Sequence, residues 1–168
     1  MQVLVMGITG VGKSTVGTRL ADAIGGRFVD ADDYHPAANV EKMRAGIALD
    51  DNDRAPWLAA LNALLRDAEA RSETTVLACS ALKEHYRRML AQGVAEFRVV
   101  HLHGTRALIG ERLGSRRGHY MNPALLDSQL ATLEWPGDAI ALDIVESPEG
   151  LALAAHRALG SLAASEKP

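Results

Sequence analysis

The amino-acid sequence predicts an α/β fold, a parallel sheet with helices on both faces. Three observations carry this expectation. Short apolar or β-branched runs of four to six residues alternate with helical stripes along the 168-residue chain. The first run, Val3-Leu4-Val5-Met6, leads straight into Gly7-Ile8-Thr9-Gly10-Val11-Gly12-Lys13-Ser14, which fits G-x-x-x-x-G-K-[ST] at every fixed position. Val16, Leu20 and Ile24 then recur every fourth residue, the spacing of a helix with one apolar stripe.

The remaining elements follow in order. Arg27-Phe28-Val29-Asp30 reads as a second strand, entered through a helix stop at Gly25-Gly26. It empties into Asp30-Ala31-Asp32-Asp33-Tyr34-His35-Pro36, the densest polar cluster in the chain. Pro36 starts a short helix over 37–44, and Gly46 ends it. Residues 49–54 form a polar loop in which Asn52 or Asp53 caps the next helix. That helix is striped by Trp57, Leu58, Leu61, Leu64, Leu65 and Ala68 and runs toward Arg71. Residues 74–79 make a third strand, after which 80–87 turns helical. A fourth strand over 97–102 precedes a helix over 105–113. The segment 112–119 is basic and broken by glycines, and 123–133 is helical in pattern. A fifth strand covers 140–145, and Leu151, Ala155, Leu159 and Leu162 stripe a final helix before a tail, 163–168, expected to fray.

Composition narrows the function. A chain of this length reads as one domain, 1–168, with a substantial core. A formal net charge of −3 advertises no nucleic-acid or anionic-membrane surface. No apolar run approaches a membrane span, and no leader pattern precedes the first strand. One cysteine leaves no internal disulfide framework, so a cytoplasmic location is expected.

The glycine loop carries the chemistry. Glycines let successive backbone N–H groups turn toward anionic oxygens, and the following helix adds its unpaired donors and partial positive charge. Gly7, Ile8, Thr9, Gly10, Val11, Gly12, Lys13, Ser14 and Thr15 therefore form the expected ATP-binding cradle. Lys13 can reach the β- and γ-phosphates, and the Ser14 hydroxyl can bind Mg²⁺. Such a loop does not choose among a GTPase switch, a motor ATPase and a small-molecule kinase. The chain has no Asn-Lys-x-Asp for guanine. Its third strand ends in Cys79-Ser80, where many motor ATPases place a magnesium-binding Asp. The carboxylates follow strand two instead, at Asp30 and Asp32. If strand geometry persists through both, they face one side. One can then hold Mg²⁺ and the other accept a proton from an attacking hydroxyl.

The segments 30–36, Asn39-Val40-Glu41-Lys42-Met43, Leu49-Asp50-Asp51-Asn52-Asp53-Arg54-Ala55-Pro56-Trp57-Leu58 and Cys79-Ser80-Ala81-Leu82-Lys83-Glu84-His85-Tyr86-Arg87 closely resemble gluconate kinase. The resemblance continues through Arg112-Leu113-Gly114-Ser115-Arg116-Arg117-Gly118-His119-Tyr120 and Gln129-Leu130-Ala131-Thr132-Leu133-Glu134. It implies ATP-dependent phosphorylation of D-gluconate to 6-phospho-D-gluconate. It further implies a three-layer fold shared with shikimate kinase, strand order 2-3-1-4-5, a lid over about 112–125, and often a homodimer.

A site for a polyhydroxy acid needs cations for the carboxylate and short polar groups for the hydroxyls. Arg54, Lys83 and Arg87 are the candidates for the acid end, although Lys83 and Arg87, four apart, fit an exposed helix face equally. Asp32 is the preferred general base and Asp30 the magnesium-side carboxylate, with the reverse assignment open. His35 suits either a substrate hydroxyl or a cap on the helix behind Pro36. Arg116 or Arg117 suits neutralisation of the transferring phosphoryl, and Arg112 resembles the family position against adenine. A solvated basic loop is the bland alternative for these three. Cys79 reads as a small core residue, and His101 and His103 lack a third ligand at metal spacing. Two rival functions remain: a kinase for another small hydroxy acid such as shikimate, and a non-catalytic nucleotide sensor.

Overall fold

The computed structural model describes residues 1–114 and 123–165. Five parallel strands, β1 (Gln2–Met6), β2 (Arg27–Asp30), β3 (Thr75–Ala78), β4 (Phe97–His103) and β5 (Ile140–Asp143), form one sheet in the order β2-β3-β1-β4-β5. This is the order the family resemblance implied. Seven helices connect and cover them: α1 (Lys13–Ile24), α2 (Ala37–Arg44), α3 (Asp51–Ala70), α4 (Glu84–Ala91), α5 (Arg106–Gly114), α6 (Pro123–Thr132) and α7 (Pro148–Ser165). None of the described helices is long and apolar enough to cross a membrane.

The sheet divides the core by the two-residue period of its strands. Val3 and Val5 of β1 point into a cluster with Val16 and Leu20 of α1, Ile109 of α5, and Leu151 and Ala155 of α7. Leu4 and Met6 point the other way, against Trp57, Leu58, Leu61 and Leu65 of α3 and Tyr86 and Leu90 of α4. All five residues of β1 are buried, as a central strand covered on both faces requires.

Helix ends follow their local chemistry. Gly25 closes α1 in the left-handed region at φ 64°, its N–H bonded to the carbonyls of Ala21 and Asp22. The start of α3 differs from expectation. Asp50, not Asn52 or Asp53, is the cap, because Asp50 is the last extended residue and Asp51 and Asn52 are already helical. Asp53 takes the reciprocal place: its N–H donates to Asp50 Oδ1 at 2.8 Å, and its own Oδ2 accepts from the Asp50 N–H at 3.0 Å. Helix α7 continues through Ser165, past the point where fraying was expected.

Candidate active site

The phosphate loop joins the carboxyl end of β1 to the start of α1, where ligands of parallel sheets bind. Gly7 sits at φ 142°, and a Cβ there would stand 2.4 Å from the carbonyl oxygen of Leu102, so only glycine fits. No side chain caps α1, which begins at Gly12 in the left-handed region. The Lys13 ammonium folds back over the loop, 3.1 Å from the carbonyl of Ile8.

The acidic segment meets this loop directly. Ser14 Oγ donates to Asp30 Oδ2 at 2.7 Å. The other oxygen, Oδ1, accepts the N–H of Asp32 at 3.1 Å and caps a 3₁₀ turn over Ala31–Tyr34. The expected mechanism for pairing the two carboxylates is thereby corrected. The strand ends at Asp30, and the turn, not strand alternation, sets Asp32. Its side chain is 87 % exposed and stands 3.9 Å from His35 Nε2.

His35 lies stacked on Trp57, ring centroids 4.1 Å apart and planes at 15°. Trp57 is fixed in turn by its Nε1–H, which donates to the carbonyl of Ala31 at 2.8 Å. Burial lowers the pKa of His35 and favours the neutral ring, and its buried Nδ1 has no hydrogen-bond partner among the described residues. The start of α2 carries no side-chain cap, so capping is not the role of His35 here.

Of the residues expected to meet the substrate carboxylate, Arg54 and Lys83 converge on Tyr86 from α3 and from the residue preceding α4. The Arg54 guanidinium carbon is 5.7 Å and the Lys83 ammonium 5.5 Å from the ring centre. Lys83 pairs with Asp51 Oδ1 at 2.9 Å, and the Tyr86 hydroxyl donates to the same oxygen. These two bonds, the tyrosine hydroxyl first, hold the Asp51 carboxyl down at about 2. Asp51 and Tyr86 were not singled out from the sequence. The Asp-rich run offers several equivalent carboxylates, and no local pattern marks Tyr86 as the partner of one of them. Arg87 does not share an exposed helix face with Lys83. It is 7 % exposed, and its Nη1 donates to the carbonyls of Ala81 and Leu82, each at 3.0 Å. Ala81 stands at φ 41°, an uncommon backbone for a residue with a Cβ, and Arg87 fastens it there.

The chain is similar to known proteins along most of its length. A family model described as an AAA domain matches residues 3–136. A probable gluconokinase of Xenopus tropicalis is 42 % identical over 162 residues, covering 86 % of this chain and 85 % of that protein. A gluconokinase of Gluconobacter oxydans is 47 % identical over 135 residues, covering 80 % and 76 %. The crystal structure of a gluconokinase from Sinorhizobium meliloti superposes with a TM-score of 0.87 at 39 % identity, covering 98 % and 94 %. The chain belongs to the gluconokinase family. It is accordingly a phosphotransferase.

In this gluconokinase-family chain a pocket also borders the phosphate loop. It measures about 220 Å³ and is lined by Gly10, Val11, Gly12, Arg112, Pro148 and Leu151. Arg112 thus borders the phosphate loop, and its Nη2 donates to the carbonyl of Ile144. Arg116, Arg117 and His119 lie outside the described residues, as does most of the expected lid over 112–125. Cys79 is buried at the end of β3, and burial pushes its thiol up to about 12, which suits a core residue and not a nucleophile.

Proposed function

We propose that this family member transfers the γ-phosphoryl group of ATP to the terminal hydroxyl of D-gluconate, giving 6-phospho-D-gluconate and ADP. The observation that carries the reading is the 2.7 Å bond from Ser14 Oγ to Asp30 Oδ2, which joins the phosphate loop and the acidic segment at one place. The gluconokinase names of its relatives supply the substrate.

The loop amides and Lys13 bind and orient the phosphates. Asp32, with its side chain exposed, takes the proton of the attacking hydroxyl as that hydroxyl's oxygen bonds to phosphorus and the bond from phosphorus to the bridging β–γ oxygen breaks. Arg54, Lys83 and Arg87 are assigned to the carboxylate end, His35 to a substrate hydroxyl, Arg112 to the nucleotide base and Arg116 to the transferring phosphoryl. Ser14 and Asp30 present hard oxygen donors side by side, a set that fits Mg²⁺ completed by phosphate oxygens and water. When bound, the ion neutralises charge on the phosphates.

A coupled ADP-release assay with ATP and a panel of sugar acids tests the reading. Turnover of gluconate is expected. Turnover of shikimate with none of gluconate would overturn it.

A further inference from the structure

Helix α6 and the two residues that follow it touch both the phosphate loop and the loop before α4. Gln129 of α6 places its side-chain Oε1 2.7 Å from the Thr9 N–H, so a neutral amide oxygen occupies a donor of the phosphate loop. Five residues further on, Glu134 grips the loop before α4 from both sides of Lys83. Its N–H donates to the Leu82 carbonyl at 2.9 Å, and its Oε2 accepts the N–H of Glu84 at 2.5 Å. Helix α6 ends at Thr132, two residues before the second grip. The helical bond from the Leu133 N–H to the Gln129 carbonyl, 3.0 Å, carries the helix toward the second grip.

The same helix is braced on the nucleotide side. Arg106 of α5 forms a two-pronged ion pair with Asp127 of α6 at 2.6 and 2.9 Å. Leu113 of α5 packs so closely on the phosphate loop that a Cβ on Gly10 would stand 2.8 Å from it. Helices α5 and α6 therefore bear on the loop at Gly10 and Thr9, and Glu134, two residues beyond α6, bears on the residues flanking Lys83.

We infer that Gln129 and Glu134 are positioning residues that couple nucleotide occupancy of the phosphate loop to the placement of Lys83, so that nucleotide raises the affinity for the sugar acid. This rests on the gluconate reading above. Phosphate arriving at the loop brings an anionic oxygen that outbids the neutral Gln129 oxygen for the Thr9 N–H. The displaced helix pulls on Glu134 through Leu133, whose N–H is bonded to the Gln129 carbonyl, and Glu134 moves the backbone on either side of Lys83. By linkage, gluconate raises nucleotide affinity by the same factor.

The test measures gluconate affinity calorimetrically, with and without a Mg²⁺-loaded, non-hydrolysable ATP analogue. In the parental chain nucleotide is expected to tighten gluconate by about 5-fold or more. Gln129→Ala and Glu134→Ala are each expected to bring that ratio to within about twofold of one. Glu134→Gln keeps an oxygen for the Glu84 N–H and should keep the parental ratio. A parental ratio of one would overturn the inference. So would an unchanged ratio in both alanine variants, including one accompanied by parallel loss of both separate affinities. Absence of any gluconate binding by the parental chain would instead remove the gluconate reading, and this inference with it.

Discussion

Ser14 and Asp30, sixteen positions apart, meet at 2.7 Å, hydroxyl to carboxylate. The bond ties the first turn of α1 to the last residue of β2, across β3, which separates their strands in the sheet. It sets the phosphate loop and the acidic segment face to face.

If these two oxygens act as one metal-side unit, their removal is not additive. Ser14→Ala and Asp30→Ala should each lower kcat/KM by roughly 10²–10³, and the double variant should lose little more than the worse single. Steady-state kinetics on the three variants, with Mg²⁺ titrated, checks this.

Asp32 contributes little to packing, with its side chain 87 % exposed. Asp32→Ala should therefore leave the melting temperature and nucleotide affinity nearly unchanged while lowering kcat by about 10²–10⁴. A parental rate would contradict the base assignment. Lys13→Ala should abolish transfer whichever carboxylate is the base.

His101, on β4, is 1 % exposed, and burial pulls its pKa from 6.5 down to about 4. Its ring packs on Trp135 at 4.5 Å, and neither ring nitrogen has a partner among the described residues. Between pH 6.5 and about 4 the unfolded chain holds a proton at this position that the folded chain does not. Its contribution to stability is thus fully present above 6.5 and is lost as pH falls through that window. His101→Phe, which keeps the ring contact, should flatten the decline of melting temperature between pH 6.5 and 4 relative to the parent.

Two glycines should respond oppositely to a methyl group. Gly7→Ala forces a Cβ to 2.4 Å from a backbone oxygen at φ 142°, and should destabilise by about 2 kcal/mol or more. Gly160→Ala, inside α7 with nothing within 4 Å, should stabilise by about 0.5–1 kcal/mol. Denaturant midpoints compare both with the parent.

Strand and helix periods made the layered fold legible from the chain itself. A strand of four apolar residues, a glycine loop and an i, i+4 stripe admit few other arrangements, and β1 and α1 formed where those patterns place them. Local chemistry also marked the stop at Gly25, because a left-handed cap needs no partner from elsewhere in the chain. The cap of α3 was missed by two or three residues because any of several consecutive carboxylates and amides satisfies the same local rule. Only the reciprocal Asp50–Asp53 bonds single one out. The phosphate loop and the strings shared with gluconate kinase identified the family, since fixed residue types at fixed spacing survive without coordinates.

Tertiary structure decided what those residues do to each other. The order of strands brings β2 to the flank of β3, and so Asp30 to Ser14, by pairing that no local pattern records. It buried Arg87 under the loop it fastens and left Lys83 at the surface with Asp51, although the two stand four apart in one segment. It also laid Gln129 of α6 against Thr9 and Glu134, just beyond α6, against Glu84, 120 and 50 positions away in the chain. Sequence fixes which groups are available, because composition and period are local. Contact between groups far apart in the chain depends on how the layers close, and closure is a property of the whole packed core.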